Sequence, residues 1–186
     1  MSPKPIIRGL AAGFIAGLAA SWIMNQFQST LTKIFEGSEK PHGAQSAQEG
    51  SPNHGIAAEL KERGLEDESD NAAERSANIV ATKVFDYELT EKDKVAAGAV
   101  VHYLFGASTG ALYGLASELR PEVSVGAGLP FGAAVWLAAD EGLVPALGLS
   151  KWPTEYSILK QAYALASHLV YGVTTDLIRR ATRAVI

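Results

Sequence analysis

This chain of 186 residues contains four apolar segments, at positions 6–27, 95–119, 123–139 and 162–178. Each is close to the ~17 to 25 residues that a helix needs to cross the hydrocarbon core of a bilayer. The sequence therefore predicts an all-α, polytopic membrane protein with four transmembrane helices in one integral domain over residues 1–186. Two alternatives stay open: a soluble protein with Ala-rich buried helices, and a cleaved signal peptide at the first segment.

A short polar and aromatic pattern occurs twice, once in the second apolar segment and once in the fourth. Its members are His102, Phe105, Gly106 and Thr109, and then His168, Tyr171, Gly172 and Thr175. This repetition indicates a duplicated pair of helices, with both copies crossing the membrane in the same direction. The alternative is that Gly-rich and Ala-rich apolar helices simply resemble one another.

Basic residues near the segment ends predict the orientation, because the cytoplasmic ends of membrane helices carry an excess of Lys and Arg. With four crossings, one side receives Lys4, Arg8, Arg120, Arg179, Arg180 and Arg183. The short link on the other side receives Lys151 and Lys160, so both termini are expected in the cytoplasm.

The long polar connection at residues 33–94 is then extracytoplasmic. Residues 37–70 have too little apolar surface to offset the entropy of ordering, so disorder is expected there. An amphipathic helix is expected at residues 71–88, because Asn71 and Glu74 have the spacing of a capping box. Its apolar face repeats at three and four residues, through Ala73, Ala77, Val80, Val84 and Tyr87. That face could rest on the helical bundle, on the lipid interface or on a partner.

Small residues recur at a spacing of four in the apolar segments, which places them on one face of each helix. Such faces let helix backbones approach closely, and in lipid this packing drives association. We expect them to line the bundle interior, although part of the pattern could serve a homo-oligomer. The glycines concerned are Gly9, Gly13, Gly17, Gly106, Gly110, Gly114, Gly128, Gly132 and Gly172.

Ionisable and amide residues on the same faces form two predicted groups. The outer group, in or near the extracytoplasmic half, consists of His102, His168, Asp140, Glu141 and Asn25. The inner group, near the cytoplasmic boundary, consists of Asp176, Arg179 and Arg180. One hypothesis is that the two histidines form a site that titrates as the outside acidifies. The alternative is that each histidine bonds across helices and only fixes their packing.

No catalytic constellation is recognisable, so no catalytic residue is predicted. His42 and His54 lie in the polar connection without ligand-like neighbours, and the chain has no cysteine, so neither a metal site nor another cofactor is expected. No basic, aromatic-laced patch indicates nucleic acid. The expected partner is the lipid bilayer, with a homo-oligomer or another membrane protein left open.

From His102 to Arg180 the chain resembles the YagU-like family, small bacterial inner-membrane proteins of unknown function. The most specific elements are His168-Leu-Val and the pair Arg179-Arg180. The resemblance implies a multi-pass protein of the bacterial inner membrane, and it supplies no catalytic residues. The polar connection at 37–70 departs from the family pattern.

The sequence thus favours a non-enzymatic membrane protein with a histidine- and carboxylate-lined outer cavity, linked to acid or ion stress. The alternative is a scaffold or accessory subunit that binds another membrane protein through its small-residue faces and the helix at 71–88. The third hypothesis is that the protein is an enzyme.

Overall fold

The computed structural model describes residues 3–35, 52, 54–62 and 70–186, and within those ranges the regular structure is helical, with no strand. The longer helices are α1 Pro3–Phe35, α2 Gly55–Glu62, α3 Ala72–Phe85, α4 Glu91–Leu119, α5 Leu129–Ala138 and α6 Ile158–Val185. Helix α2 lies inside the segment for which the sequence predicts disorder. Most of the rest of that segment falls outside the described residues.

The helix in the third apolar segment begins later than the segment itself, which starts at residue 123. Residues 121–124 form a 3₁₀ turn, and Gly126, Ala127 and Gly128 then adopt positive φ of 82°, 52° and 82°. Left-handed backbone cannot continue a right-handed helix, so α5 starts at Leu129. Helix α5 is extended by a π-helical turn at Ala139–Leu143 and a short α-helical turn at Val144–Ala146. Pro145 accounts for the wide turn, because its ring would crowd the carbonyl of the residue four positions earlier in a regular helix.

The described residues fall into two compact units. The first unit comprises the described residues within Met1–Ala44, Tyr103–Trp136 and Ala164–Ile186, and the second comprises those within Gln45–His102 and Leu137–Tyr163.

In the first unit, α1 and α4 run antiparallel with their backbones in close contact. A Cβ atom added to Gly13 would collide with the carbonyl oxygen of Gly110, and one added to Gly17 would collide with that of Gly106. At the next position along, a Cβ on Gly9 would lie 2.9 Å from the carbonyl oxygen of Gly114. The three glycines of α1 therefore meet the three of α4 in reverse order, and any side chain at these positions would separate the helices.

The same unit pairs α5 with α6. A Cβ atom at Gly132 would strike the backbone carbonyl of His168, and one at Gly128 would strike that of Gly172. Gly128 also has a positive φ, so a side chain there is excluded by its backbone conformation as well as by contact. These approaches bring the start of α5 against the middle of α6.

Large apolar side chains of the first unit lie mainly on its surface. Trp22 is 56% exposed and Leu112 is 62% exposed, whereas Gln28 and Thr175 are almost fully buried. The buried apolar cluster is small, with Ala20, Met24 and Tyr171 packed against the partly buried Phe131 and Val135. Small and polar residues fill the interior and large apolar ones face outward, the reverse of a water-soluble protein.

In the second unit, α3 starts at the capping box expected from its sequence. The Asn71 side-chain oxygen accepts hydrogen bonds from the N–H groups of Ala73 and Glu74, both at 3.0 Å. In return, the Glu74 carboxylate accepts the N–H of Asn71 at 3.0 Å. Asp86 ends the helix in the left-handed conformation.

The apolar face of α3 is buried only in part, at Ala77. Val80 and Val84 are exposed, and so is Tyr87 just beyond the helix, while polar residues are covered. The covered polar side chains are Glu74, Arg75, Asn78 and Thr82. Whether this face meets the bundle, lipid or a partner stays a prediction.

Two helical stretches, Pro5–Leu31 and Glu91–Leu119, are long and apolar enough to cross a membrane by length and composition, within the part of the chain that the structure describes.

Replacing Gly13 by leucine is expected to lower the free energy of unfolding by about 2 kcal/mol or more, because the new side chain must push α1 away from the α4 backbone. Ala11, which is exposed on the same helix, is the matched position, and Ala11→Leu is expected to be nearly neutral. Denaturant unfolding in detergent measures both variants. Equal stabilities would show that the glycine contact does not hold the two helices together.

Candidate functional site

Asp176 lies at the centre of the most highly organised charged group in the first unit. Its side chain is fully buried on α6, and each carboxylate oxygen accepts a hydrogen bond from an arginine one turn later. Arg179 Nη2 is 2.8 Å from Oδ1, and Arg180 Nε is 2.7 Å from Oδ2. Spacings of three and four residues put all three side chains on one side of the helix.

Helix α4 supplies the next member of this group. The Tyr113 hydroxyl donates a hydrogen bond to Asp176 Oδ1 at 3.0 Å, and the ring of Tyr113 lies 5.4 Å from the Arg179 guanidinium carbon. Phe131 of α5 stacks on the ring of Tyr113, with 4.2 Å between the two ring centroids. The tyrosine therefore binds the carboxylate through its hydroxyl and the cation through its π face.

The turn before α5 completes the group through Ser124. Arg179 Nη2 donates to the Ser124 hydroxyl at 3.1 Å, and Arg180 Nη2 donates to the Ser124 carbonyl oxygen at 3.0 Å. We call these five residues the Asp176 cluster: Tyr113, Ser124, Asp176, Arg179 and Arg180. Three separate parts of the chain are joined here through one buried carboxylate and two guanidinium groups.

A surface pocket of about 410 Å³ opens beside the cluster. It is lined by Ser117, Pro121, Ser124, Val125, Arg179 and Arg180. Only 7% of the surface of Arg179 is exposed, and its Nε has no hydrogen-bond partner in the described residues. Since two cations accompany one carboxylate, the cluster carries a net positive charge.

A second ion pair lies one turn further along α6. Arg183 Nε is 2.6 Å from Glu118 Oε1, and Arg183 Nη2 donates to Glu118 Oε2 at 3.3 Å. The Glu118 side chain in turn lies against Gly9. The start of α1 and the ends of α4 and α6 therefore meet at one end of the first unit, near the Asp176 cluster.

The inner group expected from the sequence, Asp176, Arg179 and Arg180, is thus in direct mutual contact. Of the predicted outer group, Asn25 and His168 belong to the first unit, and His102, Asp140 and Glu141 belong to the second. Asn25 Nδ2 donates to the Tyr103 hydroxyl at 3.3 Å. His168 Nδ1 is 2.9 Å from the carbonyl oxygen of Ala164, one turn earlier on its own helix. The histidine pair stays a prediction.

Asp140 and Glu141 lie side by side in the π-helical turn that follows α5. Glu141 shares a hydrogen bond with the Gln161 side chain.

The sequence interpretation did not include Tyr113 among the site residues. A signal was available, because Tyr113 lies one helical turn after Thr109 and a buried tyrosine needs a partner for its hydroxyl. Ser124 likewise lies on the small-residue face of the third apolar segment, but no local pattern connects it to an arginine more than fifty positions later.

Buried charges of the second unit were also missed. Lys94 Nζ lies 3.2 Å from Asp70 Oδ2, and both side chains are almost completely covered. Arg75 is fully buried and donates from Nη1 to the carbonyl oxygen of Leu149 at 3.2 Å. No local pattern marks these residues, because neither helical period nor spacing shows which polar side chains of this region will be covered.

No group of three or more His, Cys, Asp or Glu side chains is arranged to hold a metal ion in the described ranges.

The fold and the site define an all-helical protein with two helices apolar enough to cross a membrane and a buried charged cluster at one end of its first unit. The chain belongs to the family described as "protein of unknown function (DUF1440)", whose model matches residues 76–177, more than half of its length. The match covers α4, α5 and most of α6, including Tyr113, Ser124 and Asp176. Neither the curated proteins nor the solved structures contain a match to this chain.

Replacing Asp176 by asparagine is expected to lower the free energy of unfolding by about 3 kcal/mol, because the buried Arg179 loses the charge that compensates it. Glu118→Gln is the matched change, since it removes the partner of the more accessible Arg183 and should cost clearly less. Denaturant unfolding in detergent compares the two. A loss at Asp176 no larger than that at Glu118 would contradict the central role of the buried carboxylate.

Proposed function

We propose that this chain is a non-enzymatic integral protein of the bacterial inner membrane, crossed by four helices with both termini in the cytoplasm. Its functional site, in this proposal, is the Asp176 cluster at the cytoplasmic end of the first unit. The observation that carries the proposal is the distribution of side chains, with large apolar residues outside and polar or charged residues inside.

That distribution is costly in water and favourable in lipid. Ile7 and Trp22 are exposed on α1, which buries Ser21 and Gln28, and Leu112 is exposed on α4, which buries Ser117. Exposing many large side chains to water forgoes about 25 cal/mol for each Å² of apolar surface. A hydrocarbon surrounding removes this penalty, and the helix contacts then depend on close backbone packing, which the paired glycines provide.

Two further helices complete the four proposed crossings. Helix α5 with its extensions runs without a break from Leu129 to Ala146, and α6 extends from Ile158 to Val185. Both lengths fall within or above the range that spans the hydrocarbon core. Trp152 and Tyr156 lie in the link between them, where aromatic residues favour the membrane interface.

The cluster supports the orientation. Arg179, Arg180 and Arg183 end α6, and Glu118 at the end of α4 contacts both Arg183 and the start of α1. Concentrated arginine at one membrane boundary is typical of the cytoplasmic side. The resemblance to YagU-like proteins supports the bacterial inner membrane as the location.

The geometry favours a binding or packing role over catalysis. Both oxygens of Asp176 accept charge-assisted hydrogen bonds, and Tyr113 adds a third bond. All three donors belong to the protein itself, so the carboxylate is fully engaged within the fold. His168 contacts a carbonyl oxygen of its own helix, which is compatible with a packing role for this residue.

Single cysteines test the topology, because the chain has none of its own. In intact cells an impermeant thiol reagent should label Ser157→Cys, in the link between α5 and α6, from the outside. Glu122→Cys and Ala184→Cys should be labelled only after permeabilisation. All three positions are exposed, so accessibility to the reagent is matched.

Equal labelling of the three positions in intact cells, or recovery of the chain in the soluble fraction, would contradict the proposed topology. Reversed labelling would place the Asp176 cluster on the outer side and overturn the orientation alone.

A further inference from the structure

We propose that the pocket beside the Asp176 cluster binds a phosphate-bearing anion through Arg179 and Arg180. The binding chemistry follows from the residues of the first unit. The assignment of the phosphate to a membrane lipid rests, in addition, on the membrane location proposed above.

The charges favour an anion. Asp176 is fully buried behind the two arginines, so one positive charge is compensated and a second remains at the pocket. Arg180 is the more accessible of the two, with 54% of its side chain exposed. Arg183, by contrast, is engaged with Glu118 and does not line the pocket.

Donor groups are available for a ligand. Arg180 uses Nε for Asp176 and Nη2 for the Ser124 carbonyl, and its Nη1 has no hydrogen bond to a described residue. Arg179 has a buried Nε without a partner, although its Nη2 is engaged twice. A guanidinium group carries five N–H donors in a planar fork, and phosphate oxygens match that geometry. The Asp176 and Ser124 contacts hold both forks in place before a ligand arrives.

The other residues that line the pocket indicate which kind of phosphate-bearing ligand fits it. The Ser117 hydroxyl already donates to the Tyr113 carbonyl oxygen at 2.8 Å, so the arginines carry the recognition of the anion. Pro121 and Val125 add an apolar side, and Val125 is 70% exposed. A volume of about 410 Å³ exceeds what one phosphate needs. A phosphate attached to an apolar body, as in an anionic phospholipid, would use both the charged and the apolar walls.

Binding can be measured on the full chain purified in a zwitterionic detergent. The probes are phosphatidylglycerol, phosphatidylcholine and inorganic phosphate, each titrated while the melting temperature and calorimetric binding are followed. Phosphatidylglycerol should bind more tightly than phosphatidylcholine, whose choline group cancels the charge of its phosphate.

Arg180→Gln should weaken the binding of the phosphate-bearing probe about tenfold, because one charge-assisted fork is removed. Arg183→Gln is the matched control on the same helix, and its affinity should stay within about twofold of the parent. If Arg180→Gln fails to fold, Arg180→Lys replaces it. Lysine keeps the charge but loses the fork, so about a threefold loss is expected.

The two sources of phosphate give different results. Binding of phosphatidylglycerol that depends on Arg180 and that inorganic phosphate does not displace assigns the site to a lipid headgroup. Binding of inorganic phosphate with the same dependence on Arg180 assigns it to a free phosphate. The proposal is overturned if neither phosphatidylglycerol nor inorganic phosphate binds, or if Arg183→Gln weakens binding as much as Arg180→Gln. These titrations need no bilayer, so their failure is separable from a failure of the topology, which the cysteine labels decide.

Discussion

The close approach of helix backbones is the constraint on which the first unit depends. Where Gly13 meets Gly110 and Gly132 meets His168, no side chain separates the two helices. Dispersion attraction acts only at short range, so the distance between the two helix backbones determines whether the helices hold together in an apolar solvent. The small buried apolar cluster around Met24 and Tyr171 could not do so alone.

The Asp176 cluster is possible because of that packing. A buried carboxylate is tolerated when its charge is compensated and its oxygens are hydrogen-bonded. Arg179 and Arg180 are supplied by the helix itself, but Tyr113 and Ser124 come within reach only because α4 and the turn before α5 lie close to α6. Tight packing and buried charge are therefore linked in one structure, with small residues allowing the approach and polar residues using it.

Local chemistry made several elements predictable. Asn71 and Glu74 satisfy the backbone groups at the start of α3, so their spacing is readable without a structure. Asp176, Arg179 and Arg180 meet because helical geometry alone places them together. The apolar segments anticipate α4 well, but the start of α5 is misplaced, because three successive positive φ angles at 126–128 interrupt an otherwise apolar run.

Hydrophobic pattern and helical spacing, by themselves, determined the all-helical class, the capped start of α3, the small-residue faces and the arginine pair beside Asp176, since all are set by neighbours within a few turns. Tertiary structure alone decided that Tyr113 and Ser124 complete the cluster, that a pocket opens beside Arg180, and that α3 covers Arg75 while exposing Val84. Those outcomes depend on which helix faces which. Residues far apart in the chain carry no local signal of that pairing.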